Sequence, residues 1–172
     1  MDVDLATRAF LELKKIAVVG VSRKGQSPAN AIATRLRETD HTVWAINPSG
    51  EVVDGHPTWP SLLAIPDGPV QGVVVVTKPA EAHAVVADAK AAGAEWIWFH
   101  QGFGPVSFDD ETLRLARDAG LKVIAVGCPM MYCCPDGFHR CAAAVFRFFG
   151  RIPGEVDVVD EPGGDRNALR RR

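Results

Sequence analysis

Short runs rich in valine and isoleucine alternate with stretches of helical periodicity, at about 20 to 30 residues per unit, and this alternation predicts an α/β fold. Two further observations narrow it. The short runs are apolar at consecutive positions, the pattern of strands covered on both faces, and glycines stand where the helices should end. The prediction is a Rossmann-like parallel sheet of about five strands, with right-handed crossovers and helices on both faces.

Residues 4–13 read as a short amphipathic helix with Leu5, Ala9 and Leu13 on its apolar face, covering an edge or the bottom of the sheet. Ile16, Ala17, Val18 and Val19 make the first strand, which Gly20 ends. Ser27 then occupies a helix N-cap position, with Pro28 at the first helical position, where its missing N–H costs nothing. Ala29, Ile32, Ala33 and Leu36 recur at the spacing of a helix packed on a sheet. Thr42 to Ile46 form the second strand, closed by Asn47-Pro48, because proline stops a ladder.

Residues 49–69 are a long Gly- and Pro-rich connection with a helical piece at 59–63. Val73, Val74, Val75 and Val76 form the third strand, since β-branched residues are stiff and poorly helical. A helix over 80–92 ends at Gly93. Trp96 to Phe99 form the fourth strand, and a helix over 110–119 begins with Asp109, Asp110 and Glu111, where acids favour the dipole, and ends at Gly120. Residues 122–126 are the last strand. The expected strand order is 3-2-1-4-5, with ligands beyond the carboxyl ends at the switch beside the first strand. Residues 1–150 form the domain. Residues 151–172, which end in Arg170, Arg171 and Arg172, are expected to be a loosely ordered tail.

Composition excludes several classes. A net charge of −2 carries no global bias towards nucleic acid or membrane surfaces. No apolar run approaches the roughly 18 residues of a membrane span, and the N-terminus lacks a basic segment followed by an apolar core, so a cytoplasmic location is expected. Cys128, Cys133, Cys134 and Cys141 fall in one late segment rather than forming a disulfide framework, in keeping with a reducing compartment.

The candidate chemistry lies at the strand ends. Gly20, Val21, Ser22, Arg23, Lys24 and Gly25 come close to the dinucleotide fingerprint, but serine replaces its second glycine. The capped helix start that follows directs free N–H groups and a positive dipole end at this loop, an arrangement that attracts phosphate. Arg23, Lys24 and Lys78 supply three cations for a ligand more anionic than one diphosphate. A nicotinamide cofactor would call for an acid, or for NADP an arginine, at the end of the second strand; Asn47 stands there instead.

The stretches GVSRKGQSPANAIATRL, VWAINPSGEVVDGHPTWPSLLAIP, VVVVTKPAEA, WIWFHQG and GCPMMYC, in this order at five strand ends, resemble the small single-domain CoA-binding proteins. That family is related to the N-terminal CoA-binding domain of the succinyl-CoA synthetase α-subunit. The resemblance covers about residues 5–150. It implies that the loop from Gly20 to Asn30, Val21 and Pro28 included, holds the CoA diphosphate, with Ser22 and the N–H groups near Ala29 and Asn30 as donors. Asn47 and Pro48, with Thr77, Lys78 and Pro79, would flank the adenosine, leaving Arg23, Lys24 or Lys78 for its 3′-phosphate. Gln101 and Gly102 would lie beside the pantetheine arm. The chain departs from the family at His100, where glutamine is frequent, and at Gly127, where arginine commonly precedes the cysteine.

The synthetase also needs a phosphohistidine domain, and nothing after Gly150 is long enough to supply one, so no ligase activity and no catalytic step are expected. Two alternatives remain. One is a small NAD(P)- or CoA-dependent enzyme using His100 or Cys128. The other is a metal or thiol redox sensor built on Cys128, Cys133, Cys134, His139 and Cys141, whose spacing is poor for a metal and equally that of buried thiols.

Overall fold

The structure is a computed structural model that describes residues 1–25, 27–102, 104, 106–133, 144, 145 and 150. Six parallel strands form one sheet: β1 (Lys15–Val19), β2 (Thr42–Ile46), β3 (Thr58–Trp59), β4 (Gly72–Val75), β5 (Trp96–Phe99) and β6 (Lys122–Ile124), in the order β3-β2-β1-β4-β5-β6. The Rossmann-like α/β prediction holds. Four helices, α1 (Val3–Leu11), α2 (Pro28–Arg37), α3 (Pro79–Ala91) and α4 (Asp110–Asp118), cover its faces.

Side chains alternate across a strand, so each consecutive apolar run serves two cores. Ile16, Val18, Ala45, Val74, Trp96, Trp98 and Ile124 pack beneath α1 and α2. Ala17, Val19, Trp44, Ile46, Val73, Val75, Ile97, Phe99 and Val123 pack beneath α3 and α4. Phe10 of α1 meets Trp96 and Trp98 edge-on, at ring separations of 6.5 and 5.3 Å. Gly72 opens β4 because any Cβ there would collide with Phe10 and Leu13.

Three expectations are corrected. Of the predicted face of α1, Ala9 and Leu13 do pack against the core, but its centre is Val3, Ala6, Thr7 and Phe10 and Leu5 is 59% exposed, because aromatic packing against the tryptophans sets the helix rotation. Val73 to Val75 lie beside β1 rather than outside β2, with Ala17 opposite Val73 and Val19 opposite Val75. The third strand of the predicted order is instead the two-residue β3 at the edge, paired with Ala45 and Ile46, where a helical piece was expected to begin; the helical turn itself falls at Leu62–Ala64. The expected tail, with Arg170, Arg171 and Arg172, lies outside the described residues. Among the described residues, no helix is long and apolar enough to cross a membrane.

Candidate functional site

The site is built at the carboxyl edge of the sheet, around β1. Gly20 adopts φ +103°, and a Cβ there would strike the Val76 carbonyl oxygen across the β1–β4 switch, so only glycine fits. The Gly20 and Val21 N–H groups both donate to Ile46 O at 3.3 Å, which ties the turn to the end of β2. Ser22 then organises the loop: its Oγ accepts from Lys24 N–H (3.2 Å) and its carbonyl from Gly25 N–H (3.3 Å).

Ser27 caps α2 as expected, accepting from Asn30 N–H at 3.2 Å, with Pro28 at the first helical position. The buried Asn30 side chain is the hub that the sequence did not reveal. Its Oδ1 accepts from Ser22 N–H (2.8 Å) and from the Ser27 hydroxyl, and its Nδ2 donates to Ser22 O (2.9 Å) and to Asp54 Oδ2 (2.7 Å). All four hydrogen-bonding positions of the amide are filled. Hence the Ser22 N–H is already engaged within the protein, as is the Asn30 N–H expected as a ligand donor. The Ser22 hydroxyl proton and Ala29 N–H remain without an acceptor among the described residues.

At the end of β2, Asn47 Nδ2 donates to Val21 O (2.6 Å), while its Oδ1 accepts from the Ser49 N–H and hydroxyl, turning the chain at Pro48. The connection then folds back. Asp54 and Gly55 take φ of +50° and +76° between Val53 and His56, whose backbones pair at 2.9 Å; this is a type I′ turn. It delivers Asp54 to Asn30, and Glu51 to Arg23, whose Nη1 lies 2.9 and 2.8 Å from the two carboxylate oxygens. The Asp54-Gly55 pair beside Val53 is the signal by which this turn was readable. Carboxylates therefore do reach this rim, although none stands at Asn47. Outside α2, a shallow groove of about 620 Å³ opens between Pro28, Thr34, Asp54 and Met130.

Beyond β4, Lys78 is the residue before α3 and Pro79 begins it, but no side chain caps this helix. Thr77 Oγ1 is buried without a hydrogen-bond partner among the described residues, and Thr77 Cγ2 lies near the position a Gly20 Cβ would take. Lys24 and Lys78 are exposed, and Arg23 is held by Glu51, so no contact among the described residues draws the three cations together.

Further along the edge, His100 is buried, and burial lowers its ring to about 4, so it is neutral near pH 7. Gln101 joins the β6 side: its N–H donates to Gly127 O (2.9 Å), and its Oε1 lies 3.5 Å from Gly127 N. Gly102 lies against the His100 ring. Burial pushes the Cys128 thiol up to about 11, which leaves it protonated and a poor nucleophile. Cys133 is also buried and reduced, and among the described residues no group of three His, Cys, Asp or Glu side chains forms a metal site. Cys134, His139 and Cys141 lie outside the described residues.

A parallel sheet with a glycine turn and a capped helix at the end of its central strand defines the Rossmann-like class, with its ligand edge at the β1–β4 switch. Within that class, the chain belongs to the CoA binding domain family, which matches residues 14–133. It is 28% identical over 120 residues to acetate–CoA ligase [ADP-forming] I of Archaeoglobus fulgidus, covering 67% of this chain and 18% of the ligase. The chain thus spans under a fifth of that relative. A hypothetical protein from Pyrococcus horikoshii OT3 superposes with a TM-score of 0.68 at 32% identity, covering 81% of this chain and 92% of that one. The dinucleotide forming acetyl-coenzyme A synthetase 1 of Ca. Korarchaeum cryptofilum gives 0.56 at 25% identity, over 66% of this chain and 26% of the synthetase.

The residues present suit a phosphate-bearing ligand of this kind. Backbone approaches backbone at Gly20, the Thr77 hydroxyl has no partner among the described residues, and Lys24 and Lys78 are exposed at the two turns.

Proposed function

We propose that the chain binds coenzyme A or an acyl-CoA, with the diphosphate on the turn from Gly20 to Asn30 and no catalytic step of its own. The observation that carries this reading is the Asn30 hub, which holds the glycine turn against the Ser27-capped start of α2 at the switch point. A ligand there meets a rigid surface, so little ordering is needed on binding. The Ser22 hydroxyl, the Ala29 N–H and the helix dipole face the phosphates, with Val21 buried in the turn that carries them, and Thr77, Lys78 and Pro79 with Asn47 and Pro48 border the adenosine. Gln101 and Gly102 lie along the pantetheine arm. When bound, CoA would supply a thiol able to carry an acyl group.

The absence of a catalytic step is supported by the two candidate groups. His100 is neutral through burial and meets no carboxylate among the described residues, and Cys128 is held as a thiol. CoA is the proposed small-molecule partner.

Thermal shift and calorimetry with CoA, acetyl-CoA, NAD, NADP and FMN test the assignment, since a ligand that binds only the folded state raises its melting temperature. CoA or acetyl-CoA should stabilise the protein and the others should not. Stabilisation by NAD or NADP with none by CoA would overturn the reading in favour of a nicotinamide-dependent enzyme. The variant S22E/K24E should melt normally, because both side chains are at least partly exposed, and should lose CoA affinity.

A further inference from the structure

Of the cations at the turn after β1, Arg23 is the one held in an ion pair among the described residues. Its partner Glu51 is backed by the fold: the Glu51 carbonyl accepts from Thr58 Oγ1 (2.6 Å) at the start of β3, and the Asp54-Gly55 turn returns the chain beside it. The two side chains are 57% and 58% exposed, so water screens the pair and its net strength is small. A phosphate offers the same guanidinium more charge and a third acceptor oxygen. Side-chain rotation alone suffices for Arg23 to change partner, because the backbone of both segments is fixed by other bonds, Gly25 N–H to Ser22 O among them.

We propose that Glu51 is an intramolecular competitor for ligand phosphate, holding Arg23 in the free protein and yielding it to a phosphate of the bound CoA-type ligand. This rests on the reading that the turn takes such a ligand. The exchange makes Glu51 a determinant of affinity and specificity: a ligand whose phosphates cannot displace a carboxylate gains nothing from Arg23.

Calorimetric titration of CoA into wild-type protein, E51Q, R23Q and R23Q/E51Q tests the exchange. E51Q retains the Thr58 contact, which is to the backbone, and its melting temperature checks that the fold is intact. The expected result is that E51Q binds CoA roughly two- to fivefold more tightly than wild type, the most that release of an exposed ion pair can return. In the R23Q background, the same Glu51 change should alter affinity less than about twofold, because no guanidinium is left to release. Affinity that is unchanged or weaker in E51Q would overturn the proposal; a weaker value would mean that the carboxylate itself contacts the ligand. A full gain persisting in R23Q would overturn it too, since Glu51 would then act by charge alone. Wild-type protein that melts normally yet fails to bind CoA would instead remove the reading on which the exchange rests.

Discussion

At the end of β1 the chain takes residues 20–27 to reach α2, whereas at the end of β4 it takes only residues 76–78 to reach α3. Both helices begin with proline, and both point their first turns at the switch between β1 and β4. Their polar groups are treated differently. In the longer turn, Ser27 caps the helix and Asn30 fills every hydrogen-bonding position of its amide with protein partners. In the shorter one, among the described residues, α3 starts without a side-chain cap and the buried Thr77 hydroxyl has no partner. The first turn is therefore held in shape by its own bonds, with the Ser22 hydroxyl and Ala29 N–H to spare, and the second keeps the Thr77 hydroxyl open. A site of this kind needs both: one half that keeps its shape without ligand, and one whose polar groups a ligand can complete.

Breaking the scaffold half should cost most. Gly20→Val forces a branched side chain into a positive φ and against the Val76 carbonyl, and should lower unfolding free energy by at least about 4 kcal/mol in urea titrations. Next comes His100, just beyond β5. Burial favours neutral His100 in the folded protein, so between pH 6.5 and about 4 unfolded chains bind the extra proton. Stability from this group is present above pH 6.5 and falls by about 3 kcal/mol as the pH drops to 4. An H100N variant followed by denaturation across that range should show a flatter profile.

Asn30→Ala leaves Ser22 N–H and Asp54 without their partner; a loss of about 2 kcal/mol, together with lost CoA binding, is expected from denaturation and calorimetry. The smallest effect on stability sharpens the comparison most. Thr77→Val replaces an unpartnered hydroxyl with a methyl group, so stability should change by less than about 0.5 kcal/mol while CoA affinity falls several-fold. Equal affinities for the two proteins would show that the shorter turn holds no polar group in reserve for the ligand.

Much of this architecture is local and could be read along the chain. The valines of β4, the Ser27-Pro28 start of α2 and the glycines after α3 and α4 act over a few residues, through rotamer stiffness, capping and positive φ. The misread features depend on distant partners. Leu5 has the helical spacing of Ala9 and Leu13, which do pack, yet it faces outward, because the rotation of α1 follows from Phe10 meeting Trp96 and Trp98, more than 80 residues away. β3 is two residues long and shows no period; it exists because Ala45 and Ile46 offer it an edge. Arg23 reads as a free cation until Glu51 is folded beside it.

The sequence by itself determined the class of fold, the glycine turn at its central strand and the capped helix behind it, because backbone conformation and apolar runs are properties of neighbouring residues. Tertiary structure alone decided which polar groups are already satisfied. Asn30 is one amide in a helix start until Ser22, Ser27 and Asp54 surround it, and Thr77 is an ordinary turn residue until burial leaves its hydroxyl unpartnered. Hydrogen bonds of that kind join segments separated by up to 24 residues, and only the folded chain brings their ends within reach.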